Sequence, residues 1–384
     1  MTREKFCITS PLYFPHPGGY ESYTKRLVEE LIKNGNEVIL ITHALDKSWD
    51  LFCRETNNLL IIRLESFMFL NGRFPVYKIN KRNKKAFEYL FNSNIKHFMI
   101  NTRFYFLSLK IAKISNSLNK TPILLDHGSA HLVLGNKLID PIVKISEHLL
   151  TTAIKKYDIK YYGISKASFK WLEHFKIKAN DVLPNAIDSK IFKNDKSSFN
   201  LRKKFNINKT DFIVYFVGRY TPEKGLNELL ETAKIMKEFK DVHFVFSGKG
   251  PLLKNIEKLE DAFNIHNTGV LNSSDISAAM QQANVLCMPT RSEGFCTALL
   301  EAGACSLPAI ITKVGGTDEL IINDDYGYIL KDTKTETIKK AILFYKNNPN
   351  QTKIIRTNFH NIVKTKYNWG VVTKKILKAF QENE

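Results

Sequence analysis

Two glutamates, Glu293 and Glu301, stand eight positions apart around a predicted strand-to-helix turn in the C-terminal half of the chain. The apolar run 283–288 before them indicates a buried strand, and the alanine- and leucine-rich segment after Glu293 indicates a helix. The first turn of a helix favours phosphate, because its N–H groups lack helical partners and lie at the positive end of the helix dipole. A carboxylate can accept two hydrogen bonds from a vicinal diol, such as that of a ribose or a hexose. The pattern therefore indicates a site for a phosphorylated sugar; the alternative is that Glu293 caps the helix and Glu301 is solvated.

Two cations, Arg219 and Lys224, follow another apolar run, 212–217. Thr221 is the expected N-cap of the next helix, and Pro222 is expected at its first helical position. The two cations then flank the N-terminus of that helix, and with its dipole they would converge on a space of diphosphate size. There they would stabilise the charge on a departing nucleoside diphosphate. The alternative is that both are surface residues in weak ion pairs.

The N-terminal half contains polar and glycine residues at the ends of predicted strands. Gly18 and Gly19 follow the strand 6–9 and precede a helix, and His127 follows the strand 123–125. Open parallel sheets bind ligands at the carboxyl ends of their strands. Glycines in turns are common and a single histidine is commonly structural. The shared sheet edge nevertheless favours a ligand role for His127.

Apolar runs of strand length alternate with helical segments in two series, one in each half of the 384-residue chain. The predicted strands are 6–9, 38–42, 59–62, 98–100, 123–125 and 160–164 in the first half, and 212–217, 242–247, 283–288 and 309–312 in the second. This alternation predicts an α/β fold with two doubly wound parallel sheets, each covered by helices on both faces. The length fits two domains. We place the boundary after residue 188, where a polar connector with a short helix spans 189–210.

The composition, with 43% hydrophobic and 25% charged residues, is typical of a globular protein. No run of 18 or more apolar residues is present, and the first apolar run is too short for a signal peptide, so a cytoplasmic location is expected. The five cysteines have no metal-ligand spacing, and we expect reduced thiols.

The net charge of +19 is unevenly distributed. The segment 66–125 contains eleven Lys or Arg residues against one acid, Glu88, and 353–380 contains seven basic residues and no acid. Aromatic and aliphatic side chains between 67 and 77 interleave with the first basic segment, as in segments that lie on anionic lipid headgroups. The alternative is a set of solvated basic helix faces. Nucleic acid is not an expected partner, because the common DNA- and RNA-reading motifs are absent from the sequence.

A set of motifs carries a family resemblance. In chain order they are Gly18-Gly19, the sequence LPNAID at 183–188, Gly218-Arg219, Glu223-Lys224-Gly225, Gly248-Lys249-Gly250-Pro251, Glu293-Gly294-Phe295 with Glu301, and Gly315-Gly316 with Glu319. In kind and order, over nearly the whole chain, they resemble the motifs of family 4 glycosyltransferases. The resemblance implies the GT-B fold, in which two Rossmann-like domains face each other across a cleft. It implies an acceptor-binding domain at 1–188, a donor-binding domain at 189–365, and a C-terminal helix at 366–384 that crosses back to the first domain.

The resemblance also implies roles for individual residues. Arg219 and Lys224 would bind the donor diphosphate, Glu293 the hydroxyls of the donor sugar, and Glu301 the ribose, while His127 would lie near the reacting sugar. Further donor contacts would come from Gly18, Gly19, Gly218, Gly248, Val270, Leu271, Phe295, Cys296 and Thr297. Two positions depart from the family pattern: Cys296 stands where Gly or Ser is frequent, and Ala186 stands where Gly follows Asn185.

The implied reaction retains the anomeric configuration and uses no metal or other cofactor, in keeping with the absence of an Asp-x-Asp motif. We expect a nucleotide-sugar donor, with UDP as its nucleotide, and a glycan or lipid-linked saccharide acceptor. The expected setting is the synthesis of cell-surface polysaccharide or lipopolysaccharide, with peripheral contact at the anionic inner face of the cytoplasmic membrane. The alternatives are a sugar-nucleotide 2-epimerase or a phosphorylase on the same fold, and a non-enzymatic polyanion or nucleic-acid binder.

Overall fold

The computed structural model describes residues 3–16, 18–46, 48–70, 72–132, 138–189, 192, 197–260 and 262–382. The chain divides into two units, one made of Met1–Asn185 with Trp369–Glu384 and the other of Ala186–Asn368. The sequence boundaries were expected after 188 and 365. The observed division lies three residues before the first expected boundary and three residues after the second, and close to both points the Ile187 N–H donates to the Tyr367 carbonyl at 2.8 Å. Within the expected connector 189–210, residues 190, 191 and 193–196 lie outside the described residues.

The first unit is built on a mostly parallel sheet. Its strands are β1 (Lys5–Thr9), β2 (Glu37–His43), β3 (Phe52–Thr56), β4 (Leu59–Leu64), β5 (Ser66–Phe69), β6 (Phe74–Tyr77), β7 (His97–Asn101), β8 (Ile123–Asp126), β9 (Lys160–Gly163) and β10 (Asp181–Val182). The sheet order is β10-β9-β8-β7-β1-β2-β4-β3, in which only β3 runs antiparallel to its neighbour among the described residues. Strands β5 and β6 form a separate antiparallel hairpin.

Helices cover this sheet. They are α1 (Gly19–Lys33), α2 (Lys81–Phe91), α3 (Phe106–Ser117), α4 (Ile139–Ile154) and α5 (Lys166–Glu173). Tyr23, Leu27 and Leu31 of α1 are buried at helical spacing, and each such aliphatic or aromatic side chain contributes about 1.5–3 kcal/mol when fully buried. Ser165 is the N-cap of α5, and its hydroxyl accepts a hydrogen bond from the Ser168 N–H at 3.1 Å.

The second unit repeats the plan. Its strands are β11 (Phe212–Arg219), β12 (Val242–Lys249), β13 (Ile265–Gly269), β14 (Val285–Met288), β15 (Ala309–Thr312) and β16 (Tyr328–Leu330), all parallel in the order β13-β12-β11-β14-β15-β16. Its helices are α6 (Leu201–Lys204), α7 (Leu226–Ile235), α8 (Leu253–Glu257), α9 (Ser273–Gln282), α10 (Thr297–Ala304), α11 (Thr317–Leu320), α12 (Thr335–Asn347) and α13 (Pro349–Lys366). The last helix, α14 (Trp369–Gln381), belongs to the first unit, where Trp369 packs against Tyr23 with ring centroids 5.4 Å apart.

Every strand predicted from an apolar run is confirmed, and each unit is a Rossmann-like α/β domain. The sequence did not predict β3, β10, β13, β16 or the β5–β6 hairpin. Their residues are largely exposed or half-buried, so the apolar runs that mark a buried strand are missing. No described helix combines the length and the apolarity needed to cross a bilayer.

Candidate active site

The strand order places the candidate residues of the second unit at one point of its sheet. From β11 the strands follow one another toward one edge of the sheet as far as β13, and from β14 they follow one another toward the other edge. The strand order therefore reverses between the neighbouring strands β11 and β14. Ligands of open parallel sheets bind beyond the carboxyl ends of the strands at such a reversal. The loop after β11 carries Lys224, and the loop after β14 carries Glu293.

Lys224 and Glu293 form the central contact of this site. The Lys224 Nζ donates to Glu293 Oε1 at 2.6 Å, and the two side chains are only 14% and 11% exposed. Breaking a poorly solvated ion pair by removing one partner is costly, because the other charge is then left uncompensated. The structure therefore brings together the residues predicted for the diphosphate and for the donor sugar, and the carboxylate holds the ammonium group in place.

Further hydrogen bonds tie the same two loops together. The Arg291 N–H donates to the Glu223 carbonyl at 2.7 Å, the Thr290 hydroxyl donates to the same carbonyl at 3.2 Å, and the Arg291 guanidinium also binds the Glu228 carboxylate. These supporting residues were not predicted from the sequence. Only the loop positions of Thr290 and Arg291, directly after a buried strand, could have indicated them.

The predicted start of the helix after β11 was wrong in detail. Residues Pro222–Lys224 form a 3-10 turn, and α7 begins only at Leu226. The cause is Gly225, which adopts the left-handed conformation with φ 73° and so separates the two helical segments. Thr221 makes no capping hydrogen bond through its side chain. Lys224 therefore ends a tight turn and directly precedes Gly225, the N-cap residue of α7.

Gly225 also lies very close to the neighbouring strand exit. A Cβ atom at this position would lie 2.1 Å from the Pro289 carbonyl oxygen. We expect Gly225→Ala to lower the free energy of unfolding by at least about 2 kcal/mol, through the clash and the left-handed φ together. Chemical denaturation measures this. The matched control is Gly269→Ala, where φ is 72° but a Cβ would meet nothing within 4 Å. If the two variants lost equal amounts of unfolding free energy, the close approach of Gly225 to Pro289 would not contribute to the loss.

Arg219 lies at the end of β11 and is the most exposed of the predicted cations. The Arg219 side chain is 59% exposed, and its Nη2 forms a long ion pair with the Glu223 carboxylate at 3.8 Å. Its strand-register partner is Lys249. Such a surface pair stabilises the fold by about 1 kcal/mol at most. The structure thus leaves Arg219 in solvent at the edge of the site, and its predicted contact with the diphosphate stays a prediction.

Glu301 lies on α10 and is partly buried. Burial raises the pKa of its carboxyl group to about 7. It lies near Tyr215, whose pKa is raised by burial and to a smaller extent by the Glu301 charge. In the part of the chain that the structure describes, the Glu301 carboxylate makes no hydrogen bond or ion pair. It is therefore available to accept hydrogen bonds from a ligand.

The loop of Gly315 packs directly on the Glu293 loop. A Cβ at Gly315 would lie 2.5 Å from the Glu293 carbonyl oxygen, so only glycine permits this approach. Gly218 and Gly248 are register partners at the ends of β11 and β12. The loops after β11, β14 and β15 therefore meet at the Lys224–Glu293 pair, and the end of β12 lies beside the end of β11.

The remaining donor residues predicted in this unit occupy different environments. Val270 is 64% exposed after β13, and Leu271 is half-buried beside it. Phe295 packs on Tyr367 with ring centroids 5.6 Å apart, so only its backbone remains for a ligand. Cys296 is buried, which raises the pKa of its thiol, and Thr297 is the first residue of α10.

In the first unit, His127 lies at the exit of β8 beside Asn101. The His127 Nε2 is 2.8 Å from Asn101 Oδ1, and the Asn101 amide is oriented by its own donation to the Thr9 carbonyl at 3.0 Å. The amide oxygen accepts, so Nε2 carries the proton. Burial lowers the pKa of His127 to about 3. The imidazole is therefore neutral and can exchange hydrogen bonds, but it does not supply a cation. Asn101 was not identified from the sequence, although it directly follows the predicted strand 98–100.

Gly18 and Gly19 lie at the start of α1, after β1, where the order of the first sheet also reverses, between β1 and β7. A Cβ at Gly18 would lie 2.0 Å from Glu21 Oε2, and Glu21 is 1% exposed and holds His16 at 2.9 Å. A phosphate at this helix start would meet a carboxylate as well as backbone N–H groups. The contact of these glycines with a diphosphate stays a prediction.

The fold and the matches to known proteins define the class. Residues 197–362 match the family model described as "Glycosyl transferases group 1". The fold is that of sucrose-phosphate synthase from Thermosynechococcus elongatus (TM-score 0.79, 18% identity, 99% of each chain). It is also that of Anabaena Alr3699/HepE in complex with UDP-glucose (TM-score 0.77, 15% identity, 98% of this chain and 99% of that chain). The chain thus has two Rossmann-like domains, as GT-B glycosyltransferases do, and most of its second unit matches the glycosyltransferase group 1 model.

A human relative extends the likeness over both units. It is one of the subunits of the phosphatidylinositol N-acetylglucosaminyltransferase of Homo sapiens, and it is 23% identical over 402 aligned positions. These positions cover 97% of this chain and 75% of the human protein. The similarity in sequence is therefore not confined to the residues that the family model matches.

Proposed function

We propose that the protein is a retaining glycosyltransferase, of the family 4 type, that moves a sugar from a UDP-sugar to a lipid-linked saccharide or glycan in cell-surface polysaccharide synthesis. The observation that carries this proposal is the Lys224–Glu293 pair at the reversal of the second sheet, beside the start of α10. A fixed ammonium group at that place suits a pyrophosphate, and the unpaired Glu301 on the same helix suits a ribose diol.

The proposed chemistry needs no covalent nucleophile. The acceptor hydroxyl oxygen forms a bond to the anomeric carbon on the face from which the diphosphate leaves. The bond from that carbon to the phosphate oxygen breaks, and the hydroxyl proton passes to the departing oxygen. Lys224 stabilises the growing negative charge, and Glu293 accepts hydrogen bonds from the sugar hydroxyls. Arg219 adds charge when its exposed side chain turns toward the diphosphate, and neutral His127 offers a hydrogen bond to the transferred sugar.

UDP is supported as the nucleotide by the neighbouring structure that holds UDP-glucose. A lipid-linked acceptor is supported by the human relative, because its name contains both a lipid, phosphatidylinositol, and an N-acetylglucosaminyltransferase. Incubation with nucleotide-sugars and lipid-linked acceptors, followed by NMR of the product's anomeric configuration, tests the proposal. Inversion would contradict it. Release of free epimerised sugar without acceptor would identify an epimerase instead, and salt-dependent oligonucleotide binding without donor turnover would identify a polyanion binder.

Two exposed apolar features of the first unit support contact with an anionic membrane. On the β5–β6 hairpin, Phe67 and Phe69 are 54% and 52% exposed, and Lys78 Nζ lies 5.0 Å from the Phe67 ring centroid. On α4, three aliphatic side chains are exposed at helical spacing, those of Ile142, Ile145 and Leu149. Aromatic and basic side chains in one patch are the combination that inserts at a lipid interface. We propose that this unit binds peripherally to the inner face of the cytoplasmic membrane.

The double variant Phe67→Ser/Phe69→Ser should bind anionic vesicles about tenfold more weakly than the native protein, since two phenylalanines lose partial burial in lipid. Vesicle co-sedimentation measures the loss. Phe91→Ser, which alters a phenylalanine of similar exposure on α2, is the control and should bind as the native protein does. Equal binding of the native protein to neutral and anionic vesicles would remove the membrane proposal.

A further inference from the structure

Three histidines from different parts of the first unit meet outside the residues assigned to sugar transfer. His131 lies in the segment after β8, His148 lies on α4, and His174 is the C-cap residue of α5. One ligand nitrogen of each lies within 4.8 Å of the others, and the ring centroids are 5.3, 5.1 and 5.2 Å apart. We propose that these histidines bind a divalent transition-metal ion, and that Zn²⁺ is the ion they fit best.

The spacing of the rings matches a tetrahedral site. With Zn–N bonds of about 2.0 Å and tetrahedral angles, the centres of three coordinating imidazoles lie about 5 Å from one another. The three observed separations agree with this and are nearly equal. The ligand nitrogens lie within 4.8 Å of one another, whereas tetrahedral bonds of about 2.0 Å place them about 3.3 Å apart, so binding of the ion has to draw the three rings together.

The contacts of His131 leave one of its ring nitrogens, Nε2, free to coordinate a metal ion. Its Nδ1 lies 2.8 Å from Glu147 Oε2, and Glu147, which is 1% exposed, is held on its other oxygen by the buried Arg103. The carboxylate accepts the Nδ1 proton, which leaves a lone pair on Nε2. That Nε2 is buried and makes no hydrogen bond with any described residue. A carboxylate that orients a metal-binding histidine from behind is a recurrent feature of zinc sites.

Aromatic packing accounts for part of the cluster. Trp171 stacks on His174 with centroids 4.7 Å apart and planes at 4°, and its edge faces His131 at 4.8 Å. This packing fixes the ring planes, but it gives no partner to the buried Nε2 of His131. A metal ion supplies that partner.

The ligand set indicates the ion and its role. Imidazole nitrogens suit Zn²⁺, Cu²⁺ and Ni²⁺, whereas Mg²⁺ and Ca²⁺ prefer oxygen ligands. His174 is exposed, so a water molecule can fill the fourth position. The ion would tie the segment after β8, which also carries His127, to α4 and α5. The assigned role is structural, and it is separate from the proposed sugar transfer.

Titration of the chelator-treated protein with Zn²⁺ against a chromophoric chelator tests the site. We expect one ion per chain, and Co²⁺ in its place should give the visible bands of a tetrahedral site without a thiolate charge-transfer band. Loss of a residue that only orients a ligand costs about 10–100-fold in affinity, so His148→Ala and His174→Ala should each lose about 100-fold or more. Lys170→Ala, an exposed neighbour on α5, should bind as the native protein does.

Because His174 is exposed, its replacement should lower the melting temperature of the metal-free protein only slightly, through the lost stacking on Trp171. This variant therefore tests the site even if His148→Ala fails to fold. Unchanged affinity in His174→Ala, or a thiolate band that assigns the ion to cysteine, would overturn the proposal. Absence of stoichiometric binding by the native protein would overturn it as well.

Discussion

Replacing Lys224 by alanine is expected to lower kcat by about 10²–10³, the range found when one preorganised group that stabilises transition-state charge is removed. Two effects add here. The departing diphosphate loses the ammonium group, and the Glu293 carboxylate, only 11% exposed in the ion pair, loses the positive charge that faces it. Steady-state measurement of nucleotide release with donor and acceptor gives kcat and KM separately.

The matched control for this variant is Lys234→Ala. Lys234 on α7 pairs with Glu231 at 2.7 Å, nearly the separation of the Lys224 pair, but these side chains are 35% and 57% exposed. The control should keep native kcat, because a solvated pair of this kind contributes about 1 kcal/mol at most and lies away from the loops of the site. A Lys224→Ala protein with native melting temperature and a kcat within about threefold of native would show that this lysine does not stabilise the leaving group.

The double variant Lys224→Ala/Glu293→Gln separates the two effects. If the Glu293 carboxylate repels the diphosphate once the Lys224 charge is gone, removal of the carboxylate charge should recover part of the donor affinity lost in Lys224→Ala. Residues in contact commonly show coupling of about 0.5–3 kcal/mol, so the recovery should be measurable as a shift in KM. Strict additivity of the two losses would mean that the pair does not act as a unit.

The sequence predicted the sheets of both units well because buried parallel strands are continuous apolar runs, which need no knowledge of the neighbouring elements. It predicted the loops less well. The left-handed Gly225 splits a segment that local propensity predicts as one helix, and propensity does not register a close approach to Pro289. Nor does spacing alone reveal that Lys224 and Glu293, which are 69 positions apart, share a hydrogen bond.

Burial explains the other differences between the predicted and the observed site. His127 is neutral because burial removes water from its ring, whereas Arg219, the last residue of β11, keeps a side chain that is 59% exposed. Neither the charge state of His127 nor the exposure of Arg219 can be predicted from the residue type alone. The histidine cluster was missed for a related reason: its members follow no metal-binding motif and meet only through the packing of α4 and α5 beside β8.

Donor binding should depend on pH through Glu301. The ordinary pKa of its carboxyl group is 4.5, and burial raises this pKa to about 7 in the free protein. A ribose diol donates two hydrogen bonds to the ionised carboxylate but meets a proton on the neutral acid, so binding favours ionisation and lowers the pKa. The affinity for donor should therefore fall as the pH decreases below about 7, by up to tenfold for each unit by which binding lowers the pKa.

Isothermal titration with a nucleotide-sugar between about pH 5.5 and 8.5 measures this dependence. The intact nucleotide-sugar is preferred to free UDP. Both of its phosphates are esterified and do not titrate in this pH range, whereas the terminal phosphate of UDP does. Glu301→Gln should bind donor more weakly than the native protein at high pH, by about tenfold or more, since hydrogen bonds to a charged group contribute about 1.5–3 kcal/mol. Its affinity should also be independent of pH. Glu231→Gln, at an exposed position of α7, should keep the native profile.

The same pKa has the opposite consequence for stability. Between pH 4.5 and about 7 the folded protein holds a proton on Glu301 that the unfolded chain has lost, so the contribution of Glu301 to the free energy of unfolding decreases as the pH rises through that window. Glu301→Gln should therefore unfold at higher denaturant concentration than the native protein at about pH 8, while binding donor less well. A residue retained at a cost in stability and required for ligand binding is a functional residue. A variant that lost stability and donor affinity together would instead identify Glu301 as a structural residue of α10.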